Sequence, residues 1–402
     1  MRIGVSGLAV NNPAGLGRLS RTYLLALASA APDAELHVYL RAPADLSLIR
    51  DECDRESQPL TERLIPHYPA PLCRWSVLRP AHRLLMEEWD LPRQFLPLKL
   101  DAYLGCDFTL PPQPMAPREA VVLPDLLPFT KPYAVSWQAG WLYRRGITRS
   151  IRRRAALLCI SRATQSALAL RFPDAIKQSR VIYPALSPRL MQLAGRAHTA
   201  DHALQVQGSL HALVAPGPFV LAVGVQGPRK NTALLVQTYL EAVMKDEYRG
   251  SLVLVGGDGR FHTPPKQRRL ALEAAGLTLN PMRSRPTEVY DLGHVTDSDL
   301  SHLYQAADLL VCLSTEEGFG FPVLEALAHH TPVLVTADSS MTEVATAGIV
   351  TTPLDREQCC QRLVSTLKAL PVLRREVAAL PLQRYSIERL GTELVAALKG
   401  SR

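Results

Sequence analysis

Along the chain, short apolar runs alternate with longer stretches whose apolar residues recur every three or four positions. The runs read as buried strands: Ile3–Val5, Leu36–Leu40, Asp101–Leu104, Ala120–Leu123 and Ala156–Ile160 in the first part, then Phe219–Val223, Ser251–Val255, Leu309–Leu313 and Pro332–Val335. Helical patterns lie between them. Leu19–Ala30 carries Leu24, Leu25, Leu27 and Ala28 on one side, and further helices begin at Trp137, Ser161, Thr232 and Asp297. Ser161 and Asp297 are candidate N-caps. Met341–Thr346 reads as a short helix, and Asp355–Leu370 and Ser386–Leu398 read as the last two. Strands alternating with helices predict an α/β protein built on parallel sheets. Arg180–Pro184 closes a first domain over residues 1–190, and a second spans 217–384. Residues 190–216 lose periodicity and read as the connection, while 41–100 carry no clear pattern.

The junction after Leu309–Leu313 holds the most chemistry. It runs Thr315-Glu316-Glu317-Gly318-Phe319-Gly320-Phe321-Pro322 and continues into a helix-forming stretch containing Glu325. Pro322 suits a first helical turn, where its missing N–H is not needed. A strand, a glycine loop and a helix start offer backbone N–H groups and a positive dipole end to an anion. Gly318 and Gly320, without Cβ atoms, let a ligand approach closely. Glu317 precedes the anion site and Glu325 lies about one turn behind it. Carboxylates accept hydrogen bonds from hydroxyls and not from phosphate, so the pattern suits a nucleotide sugar. Two solvated glutamates at an ordinary helix start are the plainer reading.

Two other loops sit at strand–helix junctions. Gly224-Val225-Gln226-Gly227-Pro228-Arg229-Lys230-Asn231 places adjacent cations where a diphosphate fits, and arginine binds two oxygens at once. Gly15-Leu16-Gly17-Arg18 follows the first strand, where parallel sheets bind ligands. A tight structural turn explains it equally well.

Composition narrows the class. At 402 residues, 47% hydrophobic and 20% charged, the chain suits two globular domains. Met1–Val5 reads as a strand and not as a secretory leader, and no apolar run approaches the ~18–20 residues of a membrane span. Cytoplasmic placement is therefore expected. Seven scattered cysteines without a Cys-x-x-Cys pair point to reduced thiols. No histidine or acidic spacing suggests a metal centre, so neither metal nor cofactor is expected. The net charge of +8 fits an anionic partner. Trp137, Trp141, Arg144, Arg145, Arg149, Arg152, Arg153 and Arg154 concentrate charge and aromatics on one helix. An anionic membrane surface, a nucleic acid and a plain solvated face all remain open there. No RNA-binding motif accompanies the charge, and the paired glutamates oppose a nucleic-acid groove, so no nucleic acid partner is expected.

Glu317 and Glu325, with seven residues between them around Gly-Phe-Gly-Phe-Pro, resemble the Glu-x7-Glu signature of the retaining glycosyltransferases of family four. The Pro228-Arg229-Lys230-Asn231 loop resembles that family's diphosphate loop, and Glu87–Arg93 resembles a helix start in its mannosyltransferase-like members. The resemblance implies the GT-B fold: two Rossmann-like doubly wound domains facing across a cleft, with the helix of 385–402 crossing back to the first. It implies that Glu317 holds the donor sugar, that Glu325 holds the ribose, and that Lys230 and Arg229 serve the leaving phosphate. Gly15, Gly17, Asp125, Gly318, Phe319, Gly320, His294 and Val295 would complete the donor site. The implied activity is metal-independent transfer of a hexose, with retention, from a nucleotide-diphosphate sugar to a glycan or lipid-linked acceptor in cell-surface polysaccharide synthesis, peripheral on the inner membrane face. GDP-mannose is slightly favoured over a UDP-sugar. Two departures stand out: Pro124 where the family usually has a histidine before Asp125, and Val225 where it often has an arginine. They keep open a non-catalytic, nucleotide-sugar-binding relative.

Overall fold

A computed structural model describes residues 1–12, 15–70, 83–132, 135–196, 217–224, 228–256 and 289–400. The chain divides into two compact units, Met1–Arg189 with Leu382–Arg402, and Leu190–Pro381.

In the first unit the apolar runs form a parallel sheet of β1 Arg2–Ser6, β2 Glu35–Tyr39, β3 Leu64–His67, β4 Ala102–Gly105, β5 Arg118–Leu123, β6 Ala156–Cys159 and β7 Ser179–Val181. Their spatial order is β3-β2-β1-β4-β5-β6-β7. Ile3 pairs with Leu36 on one side and Ala102 on the other, so β1 is covered on both edges. The order reverses between β1 and β4, where sheets of this kind bind ligands at the strands' carboxyl ends. Tyr39, Phe95, Tyr103, Val121 and Leu157 are fully buried in the core beneath.

The second unit repeats the plan with β8 Phe219–Val223, β9 Ser251–Val255, β10 Val289–Asp291, β11 Leu309–Cys312, β12 Val333–Thr336 and β13 Ile349–Thr352, in the order β10-β9-β8-β11-β12-β13. Every described pairing is parallel. Its reversal lies between β8 and β11.

The closing helix Ile387–Lys399, capped by Ser386, belongs to the first unit and packs along the helix Gly15–Ala30. A Cβ on Gly391 would stand 2.2 Å from the Ala26 carbonyl oxygen, so glycine permits the close approach. The Leu186 N–H donates to the Tyr385 carbonyl at 2.9 Å, and Arg389 donates to the Tyr183 carbonyl at 2.5 Å.

Several expectations need correcting. Gly15-Leu16-Gly17-Arg18 is no loop but the first turn of the helix Gly15–Ala30. Gly17 is buried there, and only glycine fits, because a Cβ would lie 1.9 Å from the Asn12 carbonyl oxygen. Glu87–Arg93 does not start a helix: Met86–Asp90 form a wide π-helical turn that runs on into Leu91–Phe95. Pro92 cannot donate a backbone bond there, which favours an irregular turn. The cap of the helix Asp297–Ala306 is Thr296, whose side chain accepts from the Asp299 N–H, and Asp297 is in the first turn. Met341–Thr346 shrinks to the 3₁₀ turn Ser340–Glu343. The helix from Asp355 ends at Lys368, and Pro371 sits in the first turn of an unexpected second helix, Leu370–Ala378. The connection expected at 190–216 begins inside the helix Pro188–Arg196, and 197–216 lie outside the described residues. Six cysteines are buried and free, while Cys73 and Val225 lie outside the described residues.

Candidate active site

The loops that follow the switch strands β8 and β11 are joined to each other. After β8, Gly224 takes a φ of +134°, and Pro228–Lys230 form a 3₁₀ turn leading to the helix Thr232–Met244. After β11 the chain passes Thr315–Gly320 into the helix Phe321–Ala328. The Thr315 N–H donates to the Arg229 carbonyl at 2.9 Å, and the Arg229 guanidinium donates to the Glu316 carbonyl at 2.9 Å. Ser340 Oγ donates to the Glu317 carbonyl at 2.7 Å and fixes the loop from its other side.

Glu317 is clasped within this frame. Its Oε2 lies 2.8 Å from Arg229 Nη1 and its Oε1 2.7 Å from Lys230 Nζ. The carboxylate is only 14% exposed. Burial alone would push its pKa up, but the cations of Lys230 and Arg229 outweigh this and hold it at about 2. Lys230 reaches the carboxylate by crossing Gly224, where an added Cβ would stand 2.7 Å from Lys230 Cε. The three groups carry a net single positive charge on the loops that follow β8 and β11, with Glu317 and Lys230 largely buried and Arg229 35% exposed.

Gly320 begins the next helix with a φ of +115°, and Met341 leaves no room there for a Cβ. Its carbonyl already accepts from Val323 and Leu324, so any donor this helix start offers an anion lies at or before Phe321. Phe319, expected to line the donor site, is 2% exposed and packs edge-to-face on Phe321. Its ring is core, leaving only the backbone to face a ligand. Glu325 is buried one turn into the helix and accepts from the Tyr304 hydroxyl through Oε2 at 2.8 Å. His329 stacks on Tyr304, lies 2.7 Å from the Glu325 carbonyl through Nδ1, and 2.7 Å from Ser301 Oγ through Nε2. These groups behind Glu325 escaped the sequence reading, since no local pattern links Tyr304 to a residue on another helix.

His294 and Val295 follow β10 on the same sheet, beside a turn in which Gly256 donates to the Gly293 carbonyl at 2.7 Å. They stand two strands away from β8. Gly15, Gly17 and Asp125 belong to the first unit. Asp125 Oδ1 accepts from the Leu127 N–H at 3.0 Å, a turn-capping role, and Pro124 is buried beside it.

The basic helix Trp137–Arg152 is less free than its sequence suggests. Arg149 pairs with Glu88 at 2.8 Å, Arg153 with Glu119 at 3.0 Å, and Arg144 donates to the Pro128 carbonyl at 2.9 Å. Arg145 stacks over Trp141 and lies 3.5 Å from Glu88, Arg152 and Arg154 are exposed at the far end of the helix, and Trp137 at its start is 74% exposed. Among the described residues no helix is long and apolar enough to cross a membrane, and no cluster of three or more metal-ligating side chains occurs.

Residues 211–359, which include both loops of the clasp, match the family model for glycosyl transferases group 1. The second unit is a group 1 glycosyltransferase domain. Among curated relatives, this chain is 32% identical over 151 residues to O-antigen chain mannosyltransferase B of Escherichia coli, covering 37% of each. It is 30% identical over 153 residues to O-antigen chain mannosyltransferase RfbU of Salmonella typhimurium, covering 38% of this chain and 39% of the relative. The match thus spans about two fifths of those relatives' length. Among solved structures, Anabaena HepE in complex with UDP and glucose superposes with a TM-score of 0.69 at 18% identity, covering all of both chains. WaaG, a glycosyltransferase involved in lipopolysaccharide biosynthesis, gives 0.69 at 16%, covering 99% of this chain and 100% of WaaG. At such identities the likeness is one of fold: the two parallel α/β sheets are those of the GT-B glycosyltransferases.

Proposed function

We propose that this chain moves a hexose from a nucleoside-diphosphate sugar to a glycan or lipid-linked acceptor in cell-surface polysaccharide synthesis, with retention at the anomeric carbon and without a metal ion. The observation that carries the reading is Glu317 clasped by Arg229 and Lys230 at the reversal of the second sheet. Preformed cations in a water-poor site suit the charge that grows on a leaving diphosphate. They supply what a divalent ion would otherwise supply. Glu317 is placed to accept from donor-sugar hydroxyls, and Glu325, steadied by Tyr304, from the ribose. The glycosidic oxygen leaves as the diphosphate, the acceptor oxygen bonds to the anomeric carbon on the same face, and the acceptor proton passes to the departing phosphate oxygen. No protein nucleophile is required, so the protein works by holding the partners in line.

The mannosyltransferase names of the relatives favour GDP-mannose over a UDP-sugar. Incubating the purified chain with a panel of sugar nucleotides tests the reading, with turnover expected for GDP-mannose. The same assay on Glu317→Ala should show transfer lower by about 10²–10³, the usual cost of one preorganised polar contact. Sugar nucleotides that bind without turnover would leave a non-catalytic binding protein in its place.

A further inference from the structure

The carboxylate assigned to the sugar occupies the cations assigned to the diphosphate. Both oxygens of Glu317 are engaged, one by each cation, at 2.8 and 2.7 Å. The Lys230 pair is not a surface contact that water screens, because the Glu317 and Lys230 side chains are only 14% and 16% exposed; Arg229, at 35%, closes the clasp on its outer side. A diphosphate arriving at Arg229 and Lys230 therefore meets a resident anion on the same donors. Two anions sharing one pair of cations in a low-dielectric site repel each other, so both do not stay.

We propose that donor binding at this site is an exchange of anions: the diphosphate displaces Glu317 from Arg229 and Lys230, and the released carboxylate becomes available to the donor sugar. This rests on the glycosyltransferase reading and specifies its order of events. Glu317 acts as a specificity-determining residue, because a ligand without the charge to displace it leaves the carboxylate locked away from the sugar. The loop allows the exchange without unravelling. Thr315 N–H to the Arg229 carbonyl, Arg229 to the Glu316 carbonyl, and Ser340 to the Glu317 carbonyl hold the backbone independently of the Glu317 side chain. Only side-chain torsions need to change.

The exchange makes an unusual demand on a residue needed for turnover. Removing the Glu317 charge should lower transfer and at the same time tighten binding of the diphosphate product. Calorimetry of the full chain with GDP and with UDP, comparing the parent with Glu317→Gln, reads this directly. The dissociation constant of the better nucleotide is expected to fall by roughly tenfold, the scale set by charge-assisted contacts that the ligand no longer competes for. The affinity for the matching nucleoside, which carries no phosphate, is expected to stay the same. Glu317→Ala, which also lacks the resident anion, repeats the gain and guards against a fault particular to glutamine. Parent protein that binds GDP or UDP, with Glu317→Gln and Glu317→Ala binding it equally or more weakly, overturns the exchange and leaves the glycosyltransferase reading standing. A gain of equal size for the bare nucleoside also overturns it. Parent protein that binds neither nucleotide overturns the glycosyltransferase reading itself.

Discussion

Tyr304 supports the site through one hydroxyl. It is fully buried and donates to Glu325 Oε2, while its ring stacks on His329. Tyr304→Phe keeps the ring and removes the donor, so the packing survives and the carboxylate loses its anchor. Nucleoside-diphosphate binding should weaken by roughly tenfold, the worth of a hydrogen bond to a charged acceptor, with little change in kcat at saturating donor. An unchanged dissociation constant by calorimetry would separate Tyr304 from nucleotide binding. At this scale the sequence is legible where partners are close along the chain. Glu317, Gly320 and Glu325 declare themselves by spacing around a strand–helix junction. That Glu317 grips Arg229 and Lys230 is not legible, because the contact depends on β8 and β11 becoming neighbours across the sheet. Phe319 enters the candidate site only through the resemblance, and the packed structure turns its ring into the core against Phe321.

Among the elements, the π turn Met86–Asp90 buries a carboxyl group that no sequence pattern flags. Glu87 is buried near Arg83 and Asp107, and Arg83 also pairs with Asp107. Burial raises the Glu87 pKa, the Arg83 guanidinium opposes the shift, and the Asp107 carboxylate adds to it, leaving a value of about 7. Between pH 4.5 and about 7 the unfolded chain has therefore released a proton that the folded chain keeps, so this group's stabilisation fades as pH rises through that window. Glu87→Gln removes the titration. Its melting temperature relative to the parent should climb across the window, and a pH-independent difference would show that Glu87 stays ionised. Strands and capped helices were the easier elements to read. Ser161, Asp355 and Ser386 all cap the helices that follow them. The helix start at Gly15 was not, since glycines ordinarily signal a loop, and here Gly17 is demanded by the Asn12 carbonyl.

At the scale of the whole molecule, parallel α/β sheets follow from alternating apolar runs and helices, and this much was open to reading from the sequence, whereas the strand order was not. Arg144, Arg145, Arg149 and Arg153 are engaged by carbonyls and carboxylates, which leaves Arg152 and Arg154 with Trp137 and Trp141 to meet lipid. At about 1 kcal/mol per basic residue near an anionic surface, flotation with anionic vesicles should show weak binding at low salt and none at high salt. No binding at low salt, or binding indifferent to salt, identifies a solvated face. The closing helix has a further consequence, in the timing of synthesis. Residues 190–381 are translated between the body of the first unit and the helix it requires. At 5–20 residues per second the ribosome takes on the order of 10–40 s to cross that interval. Throughout it the face of Gly15–Ala30 that the closing helix later covers, with Gly391 against Ala26, is open to solvent. A nascent chain arrested before residue 382 should therefore be cut by protease in its first unit and bind a chaperone there, while the same chain arrested well beyond 402 should resist. Equal resistance at both arrest points would show that the first unit folds without waiting for its last helix.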